Sequence, residues 1–182
     1  MPILGIYASQ ISGHLYPGPA GAYDALASVT LSSGASSVTF TGIPSTYKHL
    51  QIRQLVNSPT GNQQIQVGSG TVDTGANYSF HFLYGEGANT GSSGATSQNN
   101  GYLGYANGST YPFVAVTDIL DYTRNTNKTI RTFSGQDNNG SAAYTMLTSS
   151  LWNNTNPITA ITISNNGGNY ATSSTFALYG VK

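Results

Sequence analysis

From Tyr23 onward, no stretch of this chain sustains an apolar i, i+3, i+4, i+7 stripe long enough to build a substantial helix, and that constrains the fold more than any motif. What recurs instead is a short run rich in β-branched and aromatic residues: ALASVTL, SSVTF, HLQIRQLV, YSFHFLY, FVAVTDILDY, KTIRTFSG, AAYTMLTSSLW, ITAITIS and STFALYGV. AAYTMLTSSLW comes nearest to a helical pattern, but Thr145, Thr148 and its serines weaken it. Turn-forming segments such as SSGASS, GIPSTY, NSPTGNQ, NTNK, QDNNGS and NNGGN separate the runs. Many short strands at this spacing predict an all-β chain, an antiparallel β-sandwich of jelly-roll type, and disfavour a doubly wound α/β fold.

Residues 1–22 read differently. In MPILGIYASQISGHLYPGPAGA, Pro17 and Pro19 with Gly13, Gly18 and Gly21 block a helix or a continuous ladder. The segment is therefore expected to be an extended N-terminal arm before a single sandwich domain over 23–182. Its apolar side chains, Ile3, Leu4, Ile6, Tyr7, Ile11, Leu15 and Tyr16, are too many to leave in water, so the arm is expected to dock on a neighbour. The opening residues are too brief, and lack the basic flank, for a secretory signal or a membrane span. At the other end, STFALYGVK (174–182) alternates up to the final lysine and reads as a strand inside the fold. Its Leu-Tyr-Gly recurs in SFHFLYGEG (79–87), as local similarity rather than a repeat.

The stretch from Glu86 to Thr110 is dominated by Gly, Ser, Asn and Thr and is expected to be a long surface loop with a short strand at GYLGYA. Tyr102, Tyr105 and Tyr111 fall in or beside it, where phenol rings would stack on sugar faces or fill pockets in a protein partner.

Charge excludes several functions. Asp, Glu, Lys and Arg make up 7% of the chain, against about a quarter in typical domains, and the formal net charge is zero. Six scattered Lys and Arg cannot assemble a basic face for nucleic acid. A neutral surface also lacks the repulsion that opposes association, so self-association is expected. With no cysteine there is no disulfide, thiolate nucleophile or cysteine metal cluster. His14, His49 and His81 match no metal-ligand spacing, and no cofactor or metal is expected. Asp118 and Asp121, three apart on a strand, would point to opposite faces and could not flank one glycosidic bond. A structural pairing of one of them with Arg53, Arg124 or Arg131 is expected instead, and no catalytic residues are assigned.

The blocks ISGHL (11–15), YDALASVT (23–30), SSVTFTGIPSTYKHLQIR (36–53), DTGANYSFHFLYGEG (73–87), TDILDY (117–122), NKTIRTFSGQD (127–137), SSLW with NNTNPITAITI (149–163) and STFALYGVK (174–182) resemble a group of small virion structural proteins from tailed bacteriophages. The resemblance covers nearly the whole chain and departs from the family pattern around 86–110. It implies a non-enzymatic, β-rich component of the virion: a capsid-decoration, fibre or tail protein whose partners are copies of itself, with a trimer favoured, and other virion proteins. No membrane association is implied. The alternative is a receptor-binding module that recognises host surface glycans through tyrosines and loop amides.

Overall fold

In the computed structural model, residues 21–57, 60–108, 110–140 and 143–182 are described, and they form twelve strands. These are β1 (Tyr23–Thr30), β2 (Ser37–Thr41), β3 (His49–Val56), β4 (Thr60–Gly68), β5 (Tyr78–Glu86), β6 (Asn89–Gln98), β7 (Gly101–Asn107), β8 (Phe113–Ile119), β9 (Lys128–Gln136), β10 (Tyr144–Trp152), β11 (Ala160–Asn165) and β12 (Thr175–Val181). One sheet has eight strands in the order β1-β12-β3-β8-β9-β10-β5-β6; the other has four, β2-β11-β4-β7. All pairings are antiparallel.

The connectivity is that of a jelly roll. Strands nest in pairs from the outside inward, β1 with β12, β2 with β11, β3 with β8 and β4 with β7, and alternate between sheets β1-β12-β3-β8 and β2-β11-β4-β7. Two hairpins are added to this frame. β5–β6 lies between β4 and β7 in sequence, β9–β10 lies between β8 and β11, and both extend the first sheet on the β8 side.

Period-two alternation fills the space between the sheets. Leu50, Ile52 and Val56 of β3, Phe176 and Leu178 of β12, Ile65 and Val67 of β4, and Ile161 and Ile163 of β11 are all buried. Each such side chain stabilises the fold by roughly 1.5–3 kcal/mol on burial. Polar pins close the ends. The Tyr78 hydroxyl meets the backbone N–H and C=O of Val67 and the C=O of Asp73 at 2.9–3.0 Å. Lys128, almost wholly buried, donates its ammonium hydrogens to the carbonyls of Arg124, Thr126 and Thr155.

β7 is the short strand expected at GYLGYA, but the loop expected before it is mostly strand as well, because β6 occupies it. β6, NTGSSGATSQ, has no apolar alternation; backbone pairing to β5 and two aromatic rings take its place. The ring of Tyr84 lies over Gly91 and that of His81 over Gly94, so close that a Cβ at either glycine would come within 2.7 or 2.5 Å of ring atoms. β7 is buried on both faces where it passes the large sheet. Gly104, at φ +151°, admits Ser134 Oγ to a place a Cβ would nearly touch, and Ser150 Oγ bonds both the N–H and the C=O of Tyr102.

Candidate functional site

The outer face of the eight-stranded sheet, turned away from the small sheet, carries the most distinctive surface among the described residues. Its strands alternate in the usual way, but the large apolar side chains fall on both faces. β9 sends Thr132 and Ser134 inward beneath β7, where little room remains, and this places Phe133 outward. β10 does the same with Thr148 and Ser150 inward and Leu147 outward.

Register aligns these outward residues in one row. Arg53 pairs with Val116, Val116 with Phe133, Phe133 with Leu147, Leu147 with Leu83, and Leu83 with Ser92. Val116 is 40% exposed, Phe133 61%, Leu147 53% and Leu83 60%, in the middle of a sheet where solvated strands normally present polar residues. The row on one side runs Leu55, Val114, Gly135, Thr145, Gly85, Thr90; its Leu and Val are again exposed, while its glycines and threonines leave low ground. The row on the other side is polar: Gln51, Asp118, Arg131, Ser149, His81, Gly94. Three shallow depressions of about 510, 560 and 510 Å³ lie along the ridge of Phe133, Leu147 and Leu83.

Asp118 and Arg53 are held. Gln51 Nε2 donates to Asp118 Oδ1 at 2.9 Å, and Arg53 Nε donates to Gln51 Oε1 at 2.9 Å. The Arg53 guanidinium also lies over the rings of Tyr179 and Tyr23, 4.9 and 5.4 Å from their centroids. A surface of this kind can bury apolar area against a partner.

The expected site residues fare differently. The seven apolar arm residues, Ile3, Leu4, Ile6, Tyr7, Ile11, Leu15 and Tyr16, lie outside the described residues. Tyr102 is not a loop tyrosine. It sits on β7, 7% exposed, with its ring 5.2 Å from that of Phe80 and 4.9 Å from that of Phe82; burial raises its hydroxyl pKa well above the ordinary value, and it is withdrawn from any surface contact. Tyr105 is half-buried at the end of the same aromatic wall, edge-on to Tyr144 at 5.2 Å. The Tyr144 hydroxyl is pushed up to about 12, chiefly by its hydrogen bond with Glu86. Tyr111 is 45% exposed in the turn before β8.

Asp118 and Asp121 do not share a site. Asp118 is on β8, bound to Gln51, whereas Asp121 lies past the strand end with its carboxylate 3.6 Å from Arg124 and its N–H donating to His49 Nδ1 at 3.0 Å. The pairing of Asp121 with Arg124 is the structural role expected for one of these aspartates. Among the described residues, no group of three or more His, Cys, Asp or Glu is placed to hold a metal ion.

Phe133, Leu147, Leu83 and Val116 were not singled out from sequence. The usable signal was a conflict of phase: KTIRTFSGQ and YTMLTSSLW carry large apolar residues in both alternation phases, so one of each set must face outward.

No protein-family model matches the chain, and no curated protein matches it. Among solved structures, CG-16, a homodimeric agglutinin from chicken liver, superposes over 70% of this chain and 99% of its own, with 11% identity and a TM-score of 0.26. A superposition this loose carries no argument about fold or ligand.

Proposed function

We propose that this chain is a non-enzymatic structural subunit of a tailed-bacteriophage virion, a decoration, fibre or tail component, which works through contacts made by the outer face of its eight-stranded sheet. The observation that carries the reading is the row Val116, Phe133, Leu147, Leu83, apolar and exposed on four adjacent strands. Contiguous apolar surface of this extent on a neutral chain is a mark of a protein-binding face. The phage setting rests on the sequence blocks from ISGHL to STFALYGVK, and self-association fits the 7% charge content.

The test is made on purified particles. Quantitative immunoblotting is expected to find the wild-type chain at fixed stoichiometry, and to find the Phe133→Glu/Leu147→Lys variant strongly depleted. Absence of the wild-type chain from particles would contradict the virion role; undiminished incorporation of the variant would contradict the role of the face.

A second reading, recognition of host surface glycans, draws on the half-buried wall of Phe80, Phe82, Tyr84, Tyr105 and Tyr144, whose rings provide a stacking floor. Calorimetric titration with host surface polysaccharide separates it from the first: saturable binding abolished by Tyr105→Ala favours the glycan reading, and no heat of binding counts against it.

A further inference from the structure

Resting on that reading, we infer that the occupant of the outer face is a second copy of this chain, packed sheet to sheet about a two-fold axis parallel to the strands and centred between β9 and β10. Such an axis lays β9 on the partner's β10, β8 on its β5 and β3 on its β6, with residues at one register level facing each other. The apolar row then folds onto itself: Phe133 meets Leu147 and Val116 meets Leu83. On the next level, Val114 stands over Gly85 and Gly135 over Thr145, so bulk meets low ground. On the polar level, the Asp118 carboxylate faces the His81 imidazole and Arg131 faces Ser149.

No like charges meet in this arrangement. Moving the axis by half a strand onto β9 would set Arg131 against Arg131 and Phe133 against Phe133. Placing it across the strands, along the apolar row, would set Arg53 against Arg53. Of these three axes, the one between β9 and β10 alone avoids like-charge pairs and sets bulk against low ground. Pairs nearest the axis are the best determined, because aligned sheets cross at about 30° and contacts drift apart outward.

The dimensions suit a dimer. Six strands at ~4.8 Å spacing give a face about 24 Å wide; three side-chain rows and their flanks bring the area to on the order of 600 Å² per copy, near the ~800 Å² of a standard interface. A single self-complementary patch also implies two-fold pairing, whereas the trimer favoured by family resemblance would need two different patches.

The chain has no cysteine, which makes cross-linking specific. Two full-length variants, Val116→Cys and Leu83→Cys, are prepared separately and treated with a short bis-maleimide, alone and mixed. The axis sets Val116 of one copy opposite Leu83 of the other, while two Val116 residues are offset by about three strand spacings, ~14 Å, across the sheet in addition to the ~10 Å between sheets. A strong cross-linked product in the mixture, weak in either variant alone, is expected, with a wild-type sedimentation mass of twice 19.0 kDa. Phe133→Asp is expected to weaken dimerisation at least tenfold, and Leu147→Ala, a milder change, several-fold; both should keep the wild-type far-ultraviolet spectrum.

A monomer or a trimer at all concentrations would overturn the inference, as would equal cross-linking of Val116→Cys alone. A monomeric wild-type chain that still requires Phe133 and Leu147 for particle incorporation would sink the dimer and leave the virion reading standing. A two-fold dimer whose chain is absent from particles would do the reverse.

Discussion

Trp152 Nε1 donates a hydrogen bond of 2.9 Å to Asp73 Oδ2, tying the end of β10 to the turn between β4 and β5. The same carboxylate accepts from the Gly75 N–H at 2.8 Å and from Asn77 Nδ2 at 2.9 Å, so one side chain organises the whole turn.

These donors, the Trp152 indole first, hold the Asp73 carboxyl below the ordinary carboxylate range. A carboxylate whose folded pKa is depressed stabilises the fold above its unfolded pKa of about 3.9, and this contribution disappears as pH falls through the lower folded value. Asp73→Asn is therefore expected to cost on the order of 1 kcal/mol at neutral pH, after allowance for partial solvent exposure. In urea melts the gap between wild type and variant should narrow steadily below pH 4; a gap independent of pH would refute the assignment.

Lys128→Met keeps the length of the buried stem and removes the ammonium. Three backbone carbonyls, of Arg124, Thr126 and Thr155, then lose their donor. A loss of about 2 kcal/mol or more is expected from the unmet acceptors. Denaturant midpoints measure it, and a variant as stable as wild type would show that water serves these carbonyls equally well.

Gly104→Ala introduces a Cβ 2.3 Å from Ser134 Oγ at a backbone angle that L-residues rarely adopt. A penalty of about 2–3 kcal/mol is expected from clash and strain together. Adding Ser134→Gly should restore only the part due to the clash. Full restoration in the double variant would mean that the backbone angle at Gly104 carries no cost.

Leu83→Lys and Leu147→Lys alter exposed positions whose burial contributes little to the isolated fold. Their stability should stay within about 0.5 kcal/mol of wild type while association falls. Calorimetry at low protein concentration, where copies are separate, provides the check; a large loss of stability there would place these leucines in the fold and not at an interface.

Deleting residues 1–20 should shift the melting temperature of the remaining chain by only a few degrees. β1 starts at Tyr23, which pairs with Val181, and among the described residues the buried core cluster is drawn from Val38 onward. Weakened incorporation into particles is expected as well, from the loss of the apolar arm side chains. A collapse of the melting temperature with undiminished incorporation would contradict the docking role of the arm.

The sandwich was legible because runs such as HLQIRQLV and ITAITIS bury one alternation phase and end at strong turn residues. β6 was not. NTGSSGATSQ has neither alternation nor β-branched enrichment, and its strand is imposed by pairing with β5 and by the rings of Tyr84 and His81, partners that lie outside the segment. The short strand expected at GYLGYA is β7, but with β6 unread the strand was placed at the surface, which hid the burial of Tyr102 against Phe80 and Phe82. The outward row was concealed for a related reason. In β9 both phases carry a large apolar residue, Ile130 and Phe133; β7 approaches so closely through Gly104 that Thr132 and Ser134 fit beneath it, and the phase of Ile130 faces inward while Phe133 faces out. That choice depends on the spacing between sheets, which a single strand's sequence does not encode.

The role of the outer face is tested most directly by a photo-cross-linking amino acid placed at position 147 in assembled particles, with Asn156, in an exposed loop, as the control position. Irradiation should link position 147 to another polypeptide, this chain or a different virion protein, and link position 156 far less. Unlinked chain at position 147, or equal yields at the two positions, would contradict the claim that Phe133, Leu147 and Leu83 form an interface.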